Sequence, residues 1–153
     1  MYKHRFITDE EILNSSVLMS EVYKPLTDIP ELINNLVLVK TIAIEDTQLA
    51  IFCDTVMNTI YVAFRGTSES GDVVTDISYY PKKWLDTKSH AGFIKAFDSI
   101  SYAVFKEVND IMYSSTQTRL IFCGHSLGGA IAHLAFYFAN YRPEVLRMNV
   151  ANV

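Results

Sequence analysis

The sequence predicts an α/β architecture in which a mostly parallel sheet is covered by flanking helices. Three observations carry this. The run "RLIFCG", Arg119 to Gly124, has the short, fully apolar centre of a strand buried on both faces of a sheet. A helical period precedes it, because Phe93, Phe97, Ile100, Val104, Val108 and Ile111 recur at spacings of three and four. A second helical stretch, Ala130 to Phe138, follows it and is apolar on nearly all sides. Helix, strand and helix in that order indicate β–α alternation.

The remaining elements follow along the chain. "TDEE", Thr8 to Glu11, fits a capping box with Thr8 as N-cap and Glu11 reaching back. A helix is expected from there to about Tyr23, ended by Pro25. Leu36 to Ile44, Leu49 to Thr55 and Thr59 to Arg65 read as strands. The short link Val56–Met57–Asn58 makes the last two a hairpin. Ser68 to Ser89 is expected to be an irregular loop. It carries Val73, Val74, Ile77 and Trp84 among polar residues, as lids and binding loops do, and Ser68 to Lys88 is expected to lie over a pocket at Ser126 with these four side chains facing it. After the apolar helix, Pro143 marks its end, and "VLRMNVANV" opens a further strand. The whole reads as one domain over residues 1–153, with an N-terminal helical segment over 1–35.

Composition excludes several function classes. The 153 residues are half hydrophobic and one-fifth charged, which is ordinary for a folded domain and unlike a disordered one. The net charge of -4, with no Lys/Arg cluster, argues against a nucleic-acid partner. Two cysteines, Cys53 and Cys123, lie inside apolar runs and read as buried free thiols. The histidines form no zinc-type spacing, so neither metal nor cofactor is expected. The N-terminus lacks an apolar leader and no stretch is long enough to span a bilayer, so a cytoplasmic location is expected.

The chemistry is carried by "GHSLGG", Gly124 to Gly129. A strand runs in and a helix runs out, which is the setting of a nucleophile elbow. Ser126 must sit in strained backbone for its Oγ to project from the turn. Gly124 and Gly128 lack a Cβ, so strand and helix can approach on either side of it. The start of the following helix points free N–H groups at the reacting centre, and the Leu127 N–H is placed for a developing oxyanion.

Here the chain resembles a family. "VAFRGT" (Val62 to Thr67), "HAGF" (His90 to Phe93) and "GHSLGGA" (Gly124 to Ala130) occur in the order and approximate spacing of the class 3, fungal-type lipases. These are α/β hydrolases that cleave acylglycerol and related esters. The resemblance covers roughly Val37 to Tyr141. It implies that Ser126 is the nucleophile and that Thr67 supplies a backbone N–H and a hydroxyl to the oxyanion hole. It implies that Asp76 helps hold the oxyanion loop, and that His90 is structural. It also implies a lipid or small-ester substrate, met at a lipid interface through loop 68–88.

An α/β hydrolase takes its acid and then its histidine from chain after the nucleophile. After Ser126 this sequence holds one acid, Glu144, and one histidine, His133. His133 lies seven residues along the elbow helix, about 10.5 Å from Ser126 along the axis, too far to take its proton. His133 is expected to be a core residue. The chain thus reads as a lipase-like domain without its C-terminal part. Two readings stay open: a serine esterase whose partners lie in a missing C-terminal segment, or an inactive remnant that binds an acyl chain or a protein.

Overall fold

The structure, a computed structural model, describes residues 6–66, 80–117 and 119–146. It opens with helix α1 (Asp9–Glu21). The Thr8 hydroxyl accepts from the Glu11 N–H, and the Glu11 carboxylate accepts from the Thr8 N–H, so the expected capping box is present. A 3-10 turn at Leu26–Asp28 follows, and then strands β1 (Leu32–Ile33), β2 (Leu36–Ile44), β3 (Thr47–Asp54) and β4 (Thr59–Phe64). Next come the short strands β5 (Pro81–Trp84) and β6 (Thr87–His90), helix α2 (Ala91–Ser114), strand β7 (Arg119–Gly124) and helix α3 (Leu127–Tyr141). A 3-10 turn at Pro143–Val145 comes last.

The main sheet has the order β1-β2-β3-β4-β7. Its β4–β7 pairing is parallel, and the three others are antiparallel. The α/β class holds, but among the described residues the sheet is mixed and not largely parallel. The reason is local. Links as short as Glu45–Asp46 and Thr55–Asn58 can only reverse the chain, whereas β4 returns as β7 through the long α2 crossover.

Side chains of the central strands alternate between two cores. Leu49, Ile51, Ile60, Val62, Phe64 and Leu120 face α2 and α3, and with them lie Phe97, Ile100, Val104, Val108 and Ile131. Ala50, Phe52, Tyr61, Ala63, Ile121 and Cys123 face α1, where Leu18 and Val22 meet them. Burial on both faces is why these strands read as unbroken apolar runs. The N-terminal helix is therefore one layer of the domain, locked at its start by the buried Arg119–Glu11 ion pair.

Four expectations need correction. Residues 81–90 are not irregular, because β5 and β6 pair as an antiparallel hairpin. Trp84 does not face Ser126. It packs on Phe97, Tyr137 and Phe138, near the far end of α3, since a large apolar ring gains more from that core than from solvent. Helix α3 is also not buried all round. Ile131, Leu134, Ala135 and Ala139 form its buried stripe, while His133, Phe136 and Asn140 lie on the opposite, exposed face. His133 is thus not a core histidine. It borders a cleft of about 390 Å³ at the unpaired edge of β7, with Met19, Cys123, Ala132 and Phe136. The expectation of a strand at "VLRMNVANV" falls mostly outside the described residues, and Val145 lies in the 3-10 turn. No helix among the described residues is long and apolar enough to cross a membrane.

Candidate active site

The site is positioned by the one parallel pairing. Phe64 at the end of β4 pairs with Gly124 at the end of β7, so both strands leave the sheet side by side. The turns that follow, Arg65–Gly66 and His125–Ser126, therefore meet at the carboxyl edge of the sheet, where α/β folds place their ligands.

Ser126 has φ 57° and ψ -124°. A side chain rarely adopts this backbone, which costs about 1–3 kcal/mol and persists only where its surroundings enforce it. The enforcement is visible. The Gly128 N–H donates to the His125 carbonyl at 3.0 Å, and the Gly129 and Ala130 N–H groups donate to the Ser126 carbonyl at 3.0 and 3.2 Å. A Cβ on Gly124 would strike the Gly128 carbonyl and come within 2.7 Å of the Gly129 nitrogen. A Cβ on Gly128 would strike the Phe64 carbonyl group. The two glycines let β7, α3 and β4 touch backbone to backbone, and that contact holds the turn. Ser126 is exposed, and Leu127 opens α3, so its N–H has no carbonyl in the helix to receive it.

The opposite wall is Gly66. A Cβ built on it would lie 3.4 Å from the Ser126 Cβ and 2.6 Å from the His125 carbonyl oxygen. Thr67 and Asp76, expected at the oxyanion loop, lie outside the described residues, as do Val73, Val74 and Ile77. The covalent neighbour of Thr67, however, touches the His125–Ser126 turn.

The described histidines sit at three different places in the fold. His125 points to α1, where its Nδ1 is 3.2 Å from the Tyr23 hydroxyl. His90 is the N-cap of α2, and its Nδ1 accepts from the Gly92 N–H at 3.2 Å. His133 lies two turns along α3.

Three residues of the site were not legible in sequence as site residues. The Arg65 guanidinium donates to Gln48 Oε1 at 2.9 Å. Gln48 Nε2 donates to the carbonyls of Val22 and Lys24, both at 3.2 Å, on either side of Tyr23. Tyr23 then reaches His125, across 102 positions of sequence. Arg65 stood inside the "VAFRGT" motif, but nothing local pointed to Gln48 or Tyr23.

Comparison with known proteins agrees with this architecture. The model of the Lipase (class 3) family matches residues 61–151. A lipase of Rhizopus niveus is 34% identical over 100 residues, covering 62% of this chain and 25% of that protein. A lipase of Rhizomucor miehei is 31% identical over 91 residues, covering 58% of this chain and 25% of that protein. The chain thus spans about a quarter of the length of the curated relatives it matches. Among solved structures, a triacylglycerol lipase whose catalytic centre is a serine protease triad superposes with a TM-score of 0.74 at 26% identity, covering 93% of this chain and 60% of that one. A lipase from Rhizopus microsporus var. chinensis gives 0.73 at 25% identity, covering 92% and 55%.

Proposed function

Since the chain belongs to the class 3 lipase family, we propose that it carries the nucleophile half of a serine hydrolase acting on carboxylic esters of the acylglycerol type. The observation that supports this most is Ser126, held exposed at φ 57° between β7 and α3 with Gly66 against it. In this reading Ser126 Oγ attacks the ester carbonyl and gives its proton to a base. The carbonyl oxygen becomes an oxyanion, which the Leu127 N–H and the Thr67 N–H receive. Collapse of that intermediate expels the alcohol, and water then releases the acid from Ser126. Asp76 supports the Thr67 loop, and loop 68–88, including the exposed Tyr80, meets the lipid surface. Gly124 and Gly128 act only through the shape of the turn. No cofactor is needed for these steps.

We read the base and its orienting acid as lying outside the described residues, because His125 and His90 engage Tyr23 and Gly92 through Nδ1 and His133 lies two turns along α3. The 153 residues alone are then expected to be a poor esterase. Losing the base from a working triad costs on the order of 10⁶ in rate. The experiment is p-nitrophenyl butyrate turnover, with the chain alone and with a C-terminal segment added, each beside Ser126→Ala. Turnover that appears with the added segment and is lost in Ser126→Ala is the expected result. Turnover that survives Ser126→Ala would refute the assignment of the nucleophile. An inactive binding module would show no turnover in either form.

A further inference from the structure

Tyr23 lies at the junction of the two turns that make the site, although it belongs to the turn just after the N-terminal helix. Its hydroxyl is 3.2 Å from His125 Nδ1, and its ring meets the imidazole edge-on at a centroid distance of 6.2 Å. The same hydroxyl occupies the space that a Cβ on Gly66 would need. His125 immediately precedes Ser126, and Gly66 lies in the turn after β4 that faces it. One phenol oxygen therefore touches both halves of the site.

The phenol is itself fixed. Gln48 bonds the carbonyls before and after Tyr23, and Arg65 bonds the other end of the Gln48 amide. The Arg65 N–H also donates to the Gln48 carbonyl at 2.8 Å. Arg65 is the residue before Gly66. The chain of contacts thus closes on itself, from Arg65 through Gln48 to Tyr23 and back to Gly66. The backbone on both sides of Tyr23 is thus held, and its hydroxyl is held in turn by His125.

We propose that Tyr23 is a positioning residue, whose hydroxyl fixes Gly66 against the His125–Ser126 turn and so sets the spacing between the oxyanion loop and the nucleophile. The inference rests on the reading of Ser126 as nucleophile. Its physical basis is the steep dependence of rate on placement, where an error near 1 Å costs about 10²-fold. Losing one hydrogen bond while the ring remains should cost less, about tenfold.

The test is Tyr23→Phe, which keeps the ring against His125 and removes the hydroxyl. With the C-terminal segment added, kcat on p-nitrophenyl butyrate should fall about tenfold, with KM within about twofold and the unfolding midpoint unchanged. Ser126→Ala, run alongside, separates the two claims. If it keeps turnover, the nucleophile reading fails. If it loses turnover while Tyr23→Phe matches the parent, the Tyr23 proposal fails alone. A rise in KM with kcat unchanged would show that the phenol binds substrate and does not position the loop, which also overturns the proposal. Where no protein turns over, amide hydrogen exchange of the chain alone decides. Exchange at Arg65, Gly128 and Gly129, whose N–H groups are hydrogen-bonded on the two sides of the junction, should quicken in Tyr23→Phe while the amides of α2 stay as they were. Equal exchange at Arg65, Gly128 and Gly129 in both proteins would overturn it.

Discussion

The carbonyl of Phe64 occupies the place that a Cβ on Gly128 would need. Strand β4 and the first turn of α3 are thus in backbone contact, and the Ser126 turn lies between them. Gly128→Ala must push these elements apart. Overpacking costs about 1–3 kcal/mol, and a backbone obstacle that cannot rotate away sits at the top of that range. For a chain of this length about 3 kcal/mol lowers the unfolding midpoint by on the order of 10 °C. Thermal melts of Gly128→Ala beside Gly129→Ala check it. The Gly129 Cβ would meet only the Gly124 carbonyl, at 3.0 Å and 3.6 Å, so the milder variant should melt higher. Equal midpoints would contradict the close contact.

Ser126 itself stores strain, and the sign of its release can be measured. Glycine adopts φ 57° without a Cβ penalty, whereas alanine retains it. Ser126→Gly should therefore be more stable than Ser126→Ala by about 1 kcal/mol in urea titrations, despite the extra chain entropy of glycine. Both variants lose the Ser126 hydroxyl, so the comparison is independent of activity. An alanine variant equal to or above the glycine one would mean that the turn is unstrained.

The elbow was legible because its parts are contiguous. A strand, a serine between glycines and a helix follow each other in sequence, and the local backbone demands those residues. The sheet's mixed character was legible only in part. The hairpin link after β3 was visible, but the dominance of antiparallel pairs depends on adding β1 and β2. His133 and Trp84 misled for one reason. Apolar content shows that a segment is covered, but not which side of the helix or hairpin does the covering. Tyr23, Gln48 and Arg65 were hidden because their contacts join three distant elements, and such contacts leave no periodic trace.

Arg119 and Glu11 form a third test, away from the site. The guanidinium Nε meets Glu11 Oε1 at 2.5 Å, and both side chains are buried. Burial pushes the Glu11 carboxyl up, but hydrogen bonds from Arg119 and Thr8 and the guanidinium charge outweigh it and hold the group below its ordinary value of 4.5. A lowered folded value makes the contribution full above 4.5 and lost as pH falls through the folded value. Glu11→Ala should cost about 3 kcal/mol near neutrality, since it strands a buried cation. The gap between the two proteins should close as urea titrations move below pH 4.5. A gap that stays constant into acid would show that the carboxylate charge is not what stabilises α1.

The two thiols give a fourth. Cys53 and Cys123 are free and buried on opposite faces of the sheet. Burial pushes Cys53 up to about 11, and burial pushes Cys123 up to about 12 against a smaller hydrogen-bond effect from Ser15. The thiolate is the reactive form, so neither should react with Ellman's reagent in the folded protein at pH 8. In urea both should react within minutes. One thiol reacting at once without denaturant would show that its side of the sheet is open.

His90 separates a structural histidine from a catalytic one. Its Nδ1 already accepts the Gly92 N–H and caps the long helix α2. Removing a helix cap costs about 1 kcal/mol. His90→Ala should therefore lower the unfolding midpoint by a few degrees, as about 1 kcal/mol does in a chain of this size. It should leave kcat on p-nitrophenyl butyrate, measured with the C-terminal segment added, within about twofold of the parent. His90→Asn, which offers a side-chain oxygen at the same cap, should recover most of the stability. The alternative has a distinct signature. If His90 were the base for Ser126, turnover would fall by several orders of magnitude in both variants, whatever the midpoint did. Asparagine would restore the fold but not the rate. The two variants together thus show whether the "HAGF" histidine serves the helix or the serine.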